Sequence, residues 1–181
     1  MMKQDLRDQL LARRRATTPE ERAQCDAALC THVLACWERQ PITSLGVYWP
    51  IRGEPDLQAA YAELARRGVQ LALPVVVDIN APLQFAKWVP GDALVIGPMK
   101  VPVPGLPQAR VQPKALLIPC VGFNQQRMRL GYGGGYYDRT LAVDPRPIAI
   151  GIAYRGSLAS FAADLHDIAL DAIITEDGCF D

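Results

Sequence analysis

Strands alternating with helices along this chain predict an α/β domain built on a mostly parallel sheet. Three observations carry that prediction. Short apolar runs at 44–48, 69–73, 115–119, 148–153 and 172–175 are separated by stretches of helical period. Helix start and stop signals bracket several of those stretches. The 181 residues are 50% hydrophobic and 21% charged. That is too apolar for a disordered chain and long enough for one domain, residues 1–181, with its own core.

Residues 4–15 read as a short helix, with Leu6, Leu10 and Leu11 on one side and Arg13 to Arg15 following. Thr18-Pro19-Glu20-Glu21 is a strong helix start. Thr18 caps, Pro19 suits the first helical position, and Glu21 completes a capping box. That helix runs to about Arg39, with Ala23, Ala27, Cys30, Leu34 and Trp37 at helical spacing, and Pro41 ends it. Ser44 to Tyr48 is a buried strand. Asp56 to Arg67 is a helix with Leu57, Tyr61 and Leu64 on one face, and Gly68 stops it. Val69 to Leu73 is the next strand. Residues 74–114 are less regular, with one strand candidate at Phe85 to Val89. Pro98, Pro102, Pro104, Pro107 and Pro113 exclude a helix or a central strand there. Ala115 to Pro119 is an apolar strand. A polar loop, a glycine cluster and a short helix from about Tyr136 follow. Ile148 to Ala153 is a strand, and Ala172 to Thr175 is the last one expected.

Charge and cysteine content exclude several functions. Nineteen basic side chains balance 19 acidic ones, which argues against a nucleic-acid binder. There is no run of about 18 apolar residues, so no membrane span is expected. Asp5 and Asp8 near the start do not fit a secretory signal. Five cysteines, with no Cys-x-x-Cys pair, argue against a disulfide framework or zinc site and for a reducing cytoplasm. Cys120, just after a strand, reads as an inert core thiol. The zero net charge is unevenly spread. Ala93 to Tyr137 holds Lys100, Arg110, Lys114, Arg127 and Arg129 and no acid; Gly156 onward holds Asp164, Asp167, Asp171, Glu176, Asp177 and Asp181 and no Lys or Arg. The first stretch suits an anion and the second a cation, unless both are simply solvated faces.

The segment that carries chemistry is Arg129-Leu130-Gly131-Tyr132-Gly133-Gly134-Gly135-Tyr136-Tyr137-Asp138-Arg139. Glycines at the start of a helix let backbone N–H groups approach an anion, and the helix dipole adds partial positive charge. Arg129 and Arg139 could add charge-assisted bonds to phosphate. The pattern is neither a Walker loop nor the dinucleotide fingerprint, since Tyr136 stands at the sixth position. On spacing alone, phosphate binding competes with a tight structural turn whose tyrosines pack in the core.

This segment resembles the signature of the 5-formyltetrahydrofolate cyclo-ligase family, also called 5,10-methenyltetrahydrofolate synthetases. The resemblance spans nearly the whole chain. Lys3-Gln4-Asp5-Leu6-Arg7 is similar to the family's N-terminal Lys-x-x-Leu-Arg. Tyr48-Trp49-Pro50-Ile51-Arg52-Gly53-Glu54 is similar to its second motif, with Leu73-Pro74-Val75-Val76 following. His166-Asp167, Asp171 and Thr175-Glu176 resemble its C-terminal end.

The resemblance implies a three-layer, Rossmann-like arrangement with helices flanking the sheet. It implies ATP-dependent ring closure of 5-formyltetrahydrofolate, polyglutamylated or not, to 5,10-methenyltetrahydrofolate. In the family's scheme the formyl oxygen takes the γ-phosphoryl group, the nitrogen at position ten attacks the activated carbon, and phosphate leaves. No covalent protein nucleophile is needed. Lys3 to Arg7 and Arg129 to Tyr137 match nucleotide-contacting positions. Arg129 and Asp138 are the catalytic candidates. Asp138 and Asp167 match positions associated with Mg2+, which takes one or two carboxylates beside phosphate oxygens. Trp49 and Glu54 match folate-contacting positions: an aromatic wall for the pterin and an acceptor for its amino-pyrimidine edge. A monomer is expected. The sequence departs from the family at Asn124 (usually Asp), Arg127 (near a usual Gly), Val103 (often Glu) and Ser157 (often Gln). These departures are expected toward the substrate side and the loop. They keep open a paralogue acting on another reduced folate or formamide-like compound. A non-catalytic folate- or nucleotide-binding protein is the further alternative.

Overall fold

A computed structural model describes residues 2–105 and 109–181. Pro107 of the proline-rich stretch lies outside them. Two helices open the chain, α1 (Lys3–Ala16) and α2 (Pro19–Arg39). The capping box at Thr18 forms as expected: its hydroxyl accepts from the Glu21 N–H at 3.2 Å, and Glu21 accepts from the Thr18 N–H at 3.0 Å. Then come β1 (Ser44–Gly46), α3 (Gln58–Arg66), β2 (Gln70–Val75), β3 (Gln84–Trp88), β4 (Leu94–Ile96), β5 (Pro102–Pro104), β6 (Arg110–Val111) and β7 (Ala115–Pro119). The chain continues with β8 (Gly122–Phe123), β9 (Arg129–Leu130), α4 (Tyr136–Leu141), β10 (Ile148–Ile152), β11 (Ala172–Thr175) and β12 (Gly178–Phe180).

The main sheet runs β12-β11-β10-β7-β1-β2-β3-β6. Its inner strands β11, β10, β7, β1 and β2 are all parallel, and β12, β3 and β6 add antiparallel edges. Side chains alternate across the sheet with period 2. Leu71, Leu73, Leu117, Ile150, Ile152 and Ile174 pack with α2 and α3 on one face. Ala72, Leu116, Ile118, Ala149 and Ile173 pack on the other with Leu141 of α4 and Leu170. Both faces are covered, which is why the inner strands read as continuous apolar runs.

The irregular region resolves into small pieces. β5 does contain prolines, but among the described residues it pairs only with β4 in a separate two-stranded ribbon, where proline is tolerated. Met99 and Lys100 between these strands have φ of 60° and 58°. β8 and β9 form a hairpin, and β12 extends the sheet beyond the last strand expected. Among the described residues, no helix is long and apolar enough to cross a membrane.

The order β2-β1-β7 places a topological switch point between β1 and β7. The chain leaves β1 toward one side and β7 toward the other, so a crevice opens beyond their carboxyl ends. Tyr48 and Trp49 emerge just past β1, and Pro119 ends β7.

Candidate active site

A cavity of about 540 Å³ fills that crevice, within the size range of small-molecule sites. Lys3, Arg7, Trp49, Glu54, the whole run Arg129 to Tyr137, Asp138 and Asp167 all line it. Gln4, Asp5 and Leu6 do not. Lys3 and Arg7 sit one helical turn apart and share a face of α1, whereas the intervening residues rotate away. Gln4 bonds Asp8 at 3.1 Å, Asp5 accepts from the Met2 N–H at 3.2 Å, and Leu6 packs beside Leu10, Val121 and Leu130.

The glycine loop joins β9 to α4. Gly133 and Gly135 have φ of 96° and 67°, a region side chains disfavour. Gly135 is the N-cap residue of α4. Arg7 donates from Nε to the Gly131 carbonyl at 2.7 Å, and its guanidinium lies alongside Gly133. Arg129, with its side chain only 8% exposed, meets Asp138 Oδ2 at 3.3 Å and stacks over the Tyr137 ring at 5.3 Å. Arg139 is not a second cavity cation. It donates to the carbonyls of Ala81, Ile79 and Gly134, clamping the loop from outside.

Lys3 Nζ lies 2.7 Å from both Asp164 and Asp167. Burial pulls the Lys3 ammonium down, but the two carboxylates outweigh it and hold it above its usual value. Burial likewise raises Asp167, yet the bonds from Lys3 and the Asp164 N–H leave it below the aspartate range. Thus Lys3 of α1 and the acidic stretch beyond Gly156, far apart in sequence, meet at the cavity. Asp171 instead secures the far end of the sheet, accepting from the Ala149 N–H at 2.7 Å.

At the other wall Trp49 stands edge-on to Trp88, ring centroids 6.2 Å apart, leaving part of its indole on the cavity. Glu54 is 4% exposed. Its Oε1 accepts from the Tyr132 hydroxyl at 3.0 Å and its Oε2 from the Ile51 N–H at 3.0 Å. Burial pushes the Glu54 carboxyl up, partly offset by those two bonds and by the charges of Arg14 and Arg52. Tyr137 is packed against the core beside Leu141, so it serves both lining and packing.

Of the four departures, only Val103 lines the cavity, on the β4–β5 ribbon with Met99 and Val101. Asn124 lies in the β8–β9 hairpin. Its Oδ1 accepts from the N–H groups of Gln126 and Met128, as a carboxylate would, and its Nδ2 donates to the Phe161 carbonyl. Arg127 has φ of 58°, which explains why glycine suits that position, and donates to the Leu170 carbonyl. Ser157 is buried in a short 3₁₀ turn. Three of the four therefore adjust packing and turns away from the cavity. Cys120 is buried, and that burial pushes its thiol up to about 12.

Sequence reasoning missed the ribbon, Asp164 and Arg14. The ribbon's strands are too short to show a period. Asp164 stood out only as one of the six acids from Gly156 onward. Arg14 was hidden in an arginine run that resembles a solvated face.

Residues 1–176 match the description of the 5-formyltetrahydrofolate cyclo-ligase family. The chain is 31% identical over 171 residues to the 5-formyltetrahydrofolate cyclo-ligase of Escherichia coli K12, covering 90% of this chain and 94% of that one. It is 28% identical over 180 residues to the Mycoplasma pneumoniae protein of that name, covering 98% and 100%. A solved 5,10-methenyltetrahydrofolate synthetase from Mycoplasma pneumoniae superposes with a TM-score of 0.82 at 28% identity, over 97% of this chain and 99% of that chain. The NMR structure of the Aquifex aeolicus 5,10-methenyltetrahydrofolate synthetase gives 0.84 at 28% identity, over 99% and 92%. From the glycine loop to the switch point, and over nearly its full length, the chain belongs to the 5-formyltetrahydrofolate cyclo-ligase family.

Proposed function

We propose that residues 1–181 work as one catalytic domain that cyclises 5-formyltetrahydrofolate to 5,10-methenyltetrahydrofolate with ATP. The observation that carries this reading is a single cavity with two unlike walls. One wall is cationic and glycine-rich, with Lys3, Arg7, Arg129 and the loop 131–135; the other offers Trp49 and the acceptor Glu54.

A formamide carbonyl is a poor electrophile, and the chemistry addresses that. The formyl oxygen attacks the γ-phosphorus and ADP leaves. The nitrogen at position ten then attacks the formyl carbon and gives up its proton to the departing phosphate or to water, and the C–O bond breaks as phosphate leaves. The protein contributes position and charge. Arg7, Arg129 and the loop N–H groups hold the polyphosphate. Arg129 faces the charge that builds on the transferred group. Trp49 stacks on the pterin, and Glu54 accepts from its amino-pyrimidine edge.

Asp138 and Asp167 fit a magnesium ion. Both line the cavity; each uses Oδ2 for its cationic neighbour, and neither Oδ1 has a hydrogen-bond partner among the described residues, which leaves a hard oxygen donor on each. No group of three potential ligands clusters among the described residues, but magnesium bound with phosphate needs only one or two carboxylates. The ion would offset phosphate charge. All five cysteines are free, which suits a reducing cytoplasm. The reading requires neither membrane nor nucleic acid, and a monomer suffices for it.

The test mixes purified protein, magnesium, ATP and 5-formyltetrahydrofolate and follows the near-ultraviolet band of the methenyl product. A rise that needs both ATP and magnesium is expected. No rise, with ATP binding intact, would refute the assignment.

A further inference from the structure

Arg14 lies on α1 behind the cavity wall and is 4% exposed. Its Nη2 donates to the Cys120 carbonyl at 2.6 Å and its Nη1 to the Tyr132 hydroxyl oxygen at 3.3 Å, while Nε has no partner. The Tyr132 hydroxyl in turn donates to Glu54 Oε1 at 3.0 Å. Chemistry fixes the direction of this chain. A guanidinium has only donors and an ionised carboxylate only acceptors, whereas a tyrosine hydroxyl has one proton. Once Arg14 occupies the acceptor side of the hydroxyl, the proton is left to point at Glu54.

We infer that Arg14 is a positioning residue: it orients the Tyr132 hydroxyl, which holds the Glu54 carboxylate as a fixed acceptor for the folate. The inference rests on the reading of Glu54 as a folate contact. Arg14 itself does not line the cavity. A second arginine braces the turn that carries Glu54. Arg22 donates to the Arg14 carbonyl at 3.1 Å and packs against Gly53, whose φ of 72° turns the chain into Glu54. Burial, then the Glu54 charge, holds the Tyr132 phenol above its usual value, so it remains a donor.

The experiment measures calorimetric affinity for 5-formyltetrahydrofolate and, separately, for ATP. The variants are Arg14→Met, Arg14→Lys, Tyr132→Phe, the double variant Arg14→Met/Tyr132→Phe, and Glu54→Gln. Removing a hydrogen bond to a charged group should weaken folate binding about tenfold or more. Arg14→Met and Tyr132→Phe should each show that loss, and the double variant should be no weaker than the worse single one. Arg14→Lys, which retains the cation and its donors, should recover part of the affinity. ATP affinity should stay within about twofold in Arg14→Met, Arg14→Lys and Glu54→Gln, none of which alters a residue of the nucleotide wall; a general structural defect would not allow that. Additive losses, an equal loss toward ATP, or unchanged folate affinity in Arg14→Met would overturn the inference. If Glu54→Gln binds folate normally, the reading of Glu54 fails and takes the inference with it. If Glu54→Gln is weakened but Tyr132→Phe is not, the inference alone fails. Should Arg14→Met not fold, Arg14→Lys in a cycle with Tyr132→Phe decides on the same criteria.

Discussion

Replacing Asp138 by Asn tests the cationic wall most directly. The shape is conserved and one negative charge is lost. Arg129 has its side chain 8% exposed, and Asp138, 3.3 Å away, is its one charged partner among the described residues. At an effective dielectric of about 20 the Coulomb attraction at that distance is roughly 5 kcal/mol. Asp138 is 22% exposed, and an asparagine oxygen still accepts a bond. The net destabilisation is therefore expected at about 1–2 kcal/mol, below the roughly 3–5 of a fully buried broken pair. For a domain of this size that lowers Tm by about 2–8 °C. A bound polyphosphate supplies the missing counter-charge. ATP in excess chelator should therefore raise the Tm of Asp138→Asn by more than it raises that of the wild type. Turnover should fall about 10–100-fold, the range for losing a residue that orders a metal site. Thermal melts with and without ATP, together with the methenyl-band assay, read both effects. An ATP-induced shift no larger than in the wild type, or unchanged turnover, would refute the reasoning.

Asp167→Asn should show an acid signature. The Asp167 carboxyl is depressed in the fold, so its stabilisation is present above the usual aspartate value of 3.8 and disappears as pH falls through the folded value. The Tm difference between wild type and variant should be largest near neutrality and close below that range; a constant difference would count against the ion pair. Glu54 behaves oppositely, because burial raises it. The wild type should lose stability relative to Glu54→Gln as pH rises from 4.5 through the folded value, with Tyr132, Arg14 and Arg52 limiting the loss; parallel melting profiles would show that burial does not dominate. Cys120, with its thiol up to about 12, should escape iodoacetamide at neutral pH in the native protein and react in denaturant. Peptide mass spectrometry checks this, and rapid native labelling would contradict the burial argument.

Much of the site was legible because its residues carry local constraints. The glycines of 131–135 signal a backbone that must turn and approach, and Gly133 and Gly135 adopt positive φ. Lys3 and Arg7 are spaced for one helical face. Gln4, Asp5 and Leu6 fell inside the same motif, but the helical period turns them off the cavity. Arg139 was indistinguishable from Arg129 by type and position, and only tertiary contacts give it to carbonyls instead. In the fold, runs such as 115–119 announced strands because both faces are buried. β8, β9 and β6 have two residues each and are defined by their partners alone. Strand order is likewise a property of pairing, so the switch point that locates the cavity emerged only with the sheet.

The partners of α1 carry a consequence for how the protein is made. Arg14 reaches Cys120 and Tyr132, Arg7 reaches Gly131, and Lys3 reaches Asp164 and Asp167, at separations of 106 to 164 residues. At about 5–20 residues per second of synthesis, the first helix waits roughly five to thirty seconds on the ribosome before these partners exist. One cationic wall of the cavity is thus translated well before the partners against which it docks. A nascent chain that stops short of Asp164 has the glycine loop and the aromatic wall but no acids to seat Lys3, so nucleotide cannot meet a finished pocket until those acids have been made.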